Sequence, residues 1–147
     1  MQDQPLSHDS SFHHIPVMGN NVLEAIETLS PEMLNGGLII DATVGGGGHA
    51  SLILERYKRV HLIGLDQDAN ARKASALKLK DFNNRVKIIE TNFADFKPSE
   101  KAILVLADLG VNSSQLDNKE RGFSFRIDGP LDMRMNQNQD INASELI

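Results

Sequence analysis

The sequence predicts an α/β fold: an open, mostly parallel sheet with helices on both faces. Three observations carry this. Four apolar runs of strand length, Leu38–Ala42, Val60–Leu65, Val86–Ile89 and Ala102–Leu106, recur along the chain. Segments of helical length separate the first three runs, the pattern of βαβ units with right-handed crossovers. The runs are apolar without alternation, as strands covered on two faces must be.

The elements follow in order. Residues 1–12 are polar and read as a loose tail. From Asn20 to Leu29, Val22, Leu23, Ala25, Ile26 and Leu29 fall at helical spacing. Ser30-Pro31 reads as an N-cap followed by proline at the first helical position, opening a short helix to Leu34 that Gly36-Gly37 stops. A glycine loop and a helix over His49–Tyr57 lie between the first two strands. A helix from Ala69 to about Phe82 lies between the second and third, with Ala71, Ala74, Leu77 and Leu79 matching one buried helical face only in rough register. After Asp108 the periodicity fades, and residues 110–147 read as one long functional loop or a fold cut short.

Composition narrows the function. The chain has 147 residues, one domain's worth, enough to bury roughly two thirds of its unfolded surface. Fifteen basic against twenty acidic residues give a formal charge of −5, which argues against a chain held to nucleic acid by bulk charge. Cysteine is absent, which excludes disulfides, thiol nucleophiles and thiolate-ligated zinc. The longest apolar run, Ala102–Ala107, is six residues, against the ~20 a membrane-spanning helix needs. No secretory signal is visible, so the expected location is the cytoplasm. His13-His14 has no third ligand beside it in sequence, and no metal site is expected.

Four segments bear chemistry. In Asp41-Ala-Thr-Val-Gly-Gly-Gly-Gly-His49 a strand ends in an acid and runs through four glycines into a helix. Such a loop lets backbone N–H groups approach a ligand closely. Asp66 ends the second strand, 21 positions after Gly45, the offset at which an acid hydrogen-bonds ribose hydroxyls in nucleotide-binding βαβ units. Asp68 is the better placed cap for the helix that follows. Asp108 ends the fourth strand. If the first and fourth strands flank the switch point of the sheet, Asp41 and Asp108 look into one crevice. The stretch Glu120–Met135 interleaves Phe123 and Phe125 with Arg121, Arg126 and Arg134, a mixture able to stack on bases and hold phosphates. Its basic residues are matched by Asp117, Glu120, Asp128 and Asp132, so it is no simple basic patch, and aromatics pinning a loop to the core explain Phe123 and Phe125 equally well.

These segments leave the ligand open. Gly45-x-Gly47-x-x-Ala50 satisfies a loose dinucleotide fingerprint, and an NAD-dependent oxidoreductase is one reading. Asp41 speaks against it, because a pyrophosphate would be repelled there. A cationic, phosphate-free ligand such as S-adenosylmethionine would be welcomed.

Taken together, HHIPVM (13–18), DATVGGGGHA (41–50), GLDQDANA (64–71), DLGVNSSQLD (108–117) and RGFSFRIDGPLDMRM (121–135) resemble the bacterial small-subunit ribosomal RNA cytosine-N4 methyltransferases, from about His13 onward. The resemblance implies a Rossmann-like class I methyltransferase domain over residues 13–147 that uses S-adenosylmethionine. Its product would be an N4-methylated cytidine in the decoding region, and its partner small-subunit ribosomal RNA or the assembled small subunit. It implies cofactor contacts from Gly47, Gly48 and His49, from Asp66 at the ribose, from Phe93 beside the adenine, and from Asp108 and Gln115 near the methionine end. It assigns no catalytic base. Asn112, Ser114 and Asn136 stand where the family often has serine, proline and aspartate. Family members also run well beyond residue 147, so the resemblance covers an N-terminal half with strands ordered 3-2-1-4. The apolar fourth strand would then be an exposed edge open to self-association. A cofactor-binding remnant without catalysis is the other reading of such a half.

Overall fold

The computed structural model describes residues 16–82 and 84–147. The expected tail and His13-His14 lie outside them. Four strands form one parallel sheet: β1 (Leu38–Asp41), β2 (His61–Asp66), β3 (Val86–Glu90) and β4 (Ala102–Leu106). Their spatial order is β3-β2-β1-β4, the order the family resemblance implies. β1 is central, with Ile40 facing Ile63 on one side and Val105 on the other. Strand order reverses between β1 and β4, so the switch-point crevice opens at their carboxyl ends.

Helices α1 (Gly19–Glu27) and α2 (Pro31–Leu34) precede the sheet, and α2 starts as its sequence requires, with the Ser30 hydroxyl accepting from the Met33 N–H at 3.4 Å. α3 (Gly48–Arg56) crosses from β1 to β2, and α4 (Ala69–Lys78) from β2 to β3. The Arg85 guanidinium donates to the carbonyls of Leu54 and Tyr57 at 2.9 and 3.0 Å, satisfying acceptors that the end of α3 leaves open. The helix expected to reach Phe82 ends at Lys78, and a separate 3-10 turn over Lys80–Phe82 follows. Past β4 the chain makes α5 (Ser113–Asp117), whose Asn112 and Gln115 form a reciprocal capping box, and then two further 3-10 turns.

The core lies on the helical side of the sheet. Ile39 and Leu62 are fully covered by Ile26 of α1 and by Ile53 and Leu54 of α3. Each such burial contributes about 1.5–3 kcal/mol. Gly64 sits in the middle of β2 because a Cβ there would lie 2.8 Å from the Val44 side chain. On the opposite face, Leu38, Ile40 and Leu65 meet Ile63, Ile89 and Phe96, all from strands or loops. Within the described residues, the helices that pack on the sheet therefore stand on one of its faces. Val105, on β4, is 64% exposed.

Candidate functional site

All four strands run in one direction, so the chemistry-bearing segments meet at their carboxyl ends. Asp41 ends β1 and is 1% exposed, its carboxylate accepting the Thr43 N–H at 3.2 Å. Asp66 ends β2. Its Oδ2 accepts from the N–H of Gly45 at 3.0 Å, and its Oδ1 from the N–H of Asp68 at 2.8 Å. The 21-residue spacing is thus a direct hydrogen bond that ties the end of β2 to the glycine loop. Asp108 follows β4 and donates its N–H to the Thr43 hydroxyl at 2.7 Å, which holds the β1 and β4 loops together. Asp108 lies close enough to Asp41 to act on its carboxyl, while Asp41 itself is sealed from solvent.

The loop between β1 and α3 is shaped by Gly47. Its φ is +80°, and a Cβ would come within 3.3 Å of Leu79 and of the Ser75 backbone. A side chain would be strained twice at this position. Gly46, by contrast, faces open space. The N–H groups of Gly46, Gly48 and His49 have no protein acceptor among the described residues, so three donors are available where the helix begins. His49 Nε2 lies 2.9 Å from the Val17 carbonyl oxygen, which can only accept, so Nε2 carries the hydrogen. Its Nδ1 lies 4.0 Å from Asp108 Oδ2. Pro16 packs on Gly48, so the segment before α1 straps the loop.

The electrostatics are lopsided. Burial pushes the Asp41 carboxyl up to about 6; the Thr43 N–H and His49 oppose this, while Asp108 and Asp66 add to it. Burial likewise raises Asp66, against the hydrogen bonds from Asp68 and Gly45. Arg72 is close to Asp66, yet its guanidinium is directed to the Asp66 backbone carbonyl at 3.2 Å and to Glu90 at 2.6 Å. Asp41, Asp66 and Asp108 therefore cluster at the strand ends, opposed among the described residues by His49 beside Asp41 and by Arg72 beside Asp66. A positively charged ligand would be stabilised there and a pyrophosphate repelled.

The remaining expected contacts sit differently. Phe93 is about half exposed on the loop leaving β3. Gln115 is buried, and both ends of its amide are engaged: Nε2 donates to Asp68 Oδ2 at 2.8 Å, and Oε1 accepts from the Asn112 N–H at 3.0 Å.

The Phe/Arg stretch separates into parts that sequence alone did not distinguish. Phe125 is 90% exposed with the Arg126 guanidinium 5.5 Å from its ring centre, whereas Phe123 is half-buried against Arg121. Arg134 clamps Asp132 in a two-point pair at 2.7 and 2.9 Å, which holds the Asp132 carboxyl down at about 2. Arg121 is buried on Asp68 at 2.7 Å. Of the three arginines expected to hold phosphate, Arg126 alone has no ion-pair partner among the described residues. The ion pair of Arg121 with Asp68 escaped sequence reasoning. Its members are 53 positions apart, and charge balance made Arg121 look like one more surface cation.

The chain is similar to known proteins. Ribosomal RNA small subunit methyltransferase H of Prochlorococcus marinus strain NATL1A is 54% identical over 147 residues, covering 100% of this chain and 48% of that protein. The protein of the same name from strain MIT 9303 is 56% identical over 147 residues, covering 100% of this chain and 47% of that one. The chain thus spans about half the length of these curated relatives. Among solved structures, the StiE O-MT segment superposes with a TM-score of 0.48 at 15% identity, over 58% of this chain and 31% of that one. The model of the MraW methylase family matches residues 11–147, and the chain belongs to that family.

Proposed function

We propose that this chain is the cofactor-binding half of an S-adenosylmethionine-dependent methyltransferase acting on the exocyclic N4 amine of a cytidine in the decoding region of small-subunit ribosomal RNA. The observation that carries the reading is the cluster itself: Asp41, Asp66 and Asp108 around a glycine loop with three N–H donors that have no acceptor among the described residues. S-adenosylmethionine fits this donor set, since it brings an ammonium and a sulfonium and no phosphate. When bound, it supplies an electrophilic methyl group.

In this reading the N–H groups of Gly48 and His49 and the turn at Gly47 receive the cofactor beside Asp108. Asp66 accepts the ribose hydroxyls, Phe93 covers the adenine and Gln115 lies toward the methionine end. Asp41 and Asp108 supply the negative field for the cationic end. The cytidine amine is a poor nucleophile because its lone pair is delocalised into the ring, so most of the acceleration comes from holding it in line with the methyl. The base must leave its stack to reach the crevice. Phe125 is the platform that receives it, with Arg126 on the flanking phosphate. A groove of about 390 Å³ lined by Phe125, Arg126, Asp128 and Leu131 adjoins that platform, a size within the range of small-ligand sites. The partner is small-subunit ribosomal RNA or the assembled subunit. Among the described residues no helix is long and apolar enough to cross a membrane, and the reading places the protein in the cytoplasm with its substrate.

The test is a calorimetric titration with S-adenosylhomocysteine and with NAD, followed by methyl transfer from labelled donor to unmethylated small subunits and nucleoside analysis of the product. Binding of the homocysteine compound alone and label on N4-methylcytidine are expected. Preferential NAD binding, or label on another atom, overturns the proposal. Donor binding without transfer identifies this half as a non-catalytic remnant. Among the described residues β4 is an edge strand with Val105 exposed, and in this reading it is also the surface through which copies of the chain associate. Size-exclusion chromatography that shows a monomer at every concentration removes that part of the reading.

A further inference from the structure

Asp68 and Arg121 form a buried ion pair that the crevice itself does not use. Their side chains are 4% and 3% exposed, and Arg121 Nη1 lies 2.7 Å from Asp68 Oδ2. The same oxygen takes the Gln115 amide at 2.8 Å. The other amino group, Nη2, donates to the carbonyls of Arg134 and Met135 at 3.0 and 3.2 Å. The Met133 N–H returns to the Arg121 carbonyl at 3.0 Å. One guanidinium therefore gathers both ends of the stretch 121–135, which carries Phe125, and fastens it to Asp68. Asp68 in turn donates its N–H to Asp66 Oδ1 at 2.8 Å. Hydrogen bonds from Gln115, Arg121 and Asn70 outweigh burial and hold the Asp68 carboxyl below its usual range, so the pair stays charged.

A buried pair of this kind is not a cheap source of stability, because each ion loses its hydration. Arg121 Nε is buried without a partner among the described residues, a further cost. An apolar contact could have pinned the loop without either cost. What the pair adds is direction: a rigid guanidinium fork that fixes two carbonyls relative to one carboxylate. We infer that Arg121 is a positioning residue that sets the Phe125 platform in register with the Asp66 side of the crevice, so that the RNA-receiving loop and the donor site form one unit. This rests on the function proposed above.

Two substitutions test it. Arg121→Lys keeps a cation beside Asp68 but cannot also bond the Arg134 and Met135 carbonyls. Arg121→Met removes the charge and reports on stability alone if it fails to fold. The readouts are urea stability, S-adenosylhomocysteine affinity by calorimetry, amide exchange of residues 121–135, and anisotropy of a labelled cytidine-containing oligoribonucleotide. For Arg121→Lys, homocysteine-compound affinity is expected to remain near wild type, and the urea midpoint to fall modestly because two carbonyls lose their donor. Exchange of the loop should speed up, and RNA affinity should fall about 10-fold, within the span of mutations that disturb coupling networks. With small subunits as substrate, the loss should appear in KM with kcat largely kept. If lysine restores RNA binding and loop protection fully, Arg121 only neutralises Asp68 and the inference fails. If the wild type binds no homocysteine compound, the functional reading fails first, and the two failures are distinguishable.

Discussion

Asp41 offers a direct measure of how strongly the crevice is biased toward cations, through the isosteric change Asp41→Asn. The asparagine keeps an oxygen for the Thr43 N–H, which the carboxylate accepts at 3.2 Å, and removes the ability to ionise. Burial raises the wild-type carboxyl from 3.8 to about 6, and that gap corresponds to about 3 kcal/mol. The folded state binds this proton more tightly than the unfolded chain. The stability it confers is therefore complete below about pH 4 and is lost as pH rises through about 6. Above that, the wild type holds a poorly solvated anion and the variant does not. Asp41→Asn should equal the wild type at pH 4 and exceed it by up to about 3 kcal/mol at pH 8, a large part of the usual 5–15 kcal/mol of a domain. Urea titrations followed by circular dichroism across this range read the difference as a shift in midpoint at constant slope. The same change should weaken S-adenosylmethionine by about tenfold, the equivalent of about 1.4 kcal/mol, and S-adenosylhomocysteine, which lacks the sulfonium charge, by less. A variant no more stable than wild type at pH 8, with unchanged donor affinity, refutes the reasoning.

Other substitutions separate roles within the site. Gly47→Ala, at φ +80° with only 3.3 Å of space, should cost about 1–2 kcal/mol in a thermal melt. Gly46→Ala meets nothing within 4 Å and should leave stability within about 0.5 kcal/mol while weakening donor binding in calorimetry. Phe125→Ala, at a 90% exposed position, should leave the melting curve in place and cost about 1–3 kcal/mol of RNA affinity. Phe123→Ala should do the reverse. Arg126→Ala should reduce the slope of log affinity against log salt by about 1.

Local physics made much of the fold readable. The four strands fall within one residue of the apolar runs because nothing else in those segments competes with sheet burial. The Ser30-Pro31 start and the Asp68 cap were legible because capping is decided by neighbours in sequence. Asp66 was legible as an acid at the end of β2 at the offset of a ribose-binding residue, but its hydrogen bonds to the Gly45 and Asp68 N–H groups were not. The strand order, however, came from family resemblance and not from periodicity. The end of α4 was misread because Leu79 is buried like a helical residue, although the backbone has already tightened into the turn that follows. The division of labour among Arg121, Arg126 and Arg134 was invisible. Which arginine is buried, which is clamped and which is free depends on contacts made between 2 and 53 positions away, and composition treats all three alike.

The Val17 carbonyl and the Pro16 ring lie directly against His49 and Gly48. A change at Pro16 or Val17 is consequently felt inside the donor pocket, although both residues lie more than thirty positions from it in sequence. Pro16→Gly would slacken the contact on Gly48 while leaving every residue of the glycine loop in place.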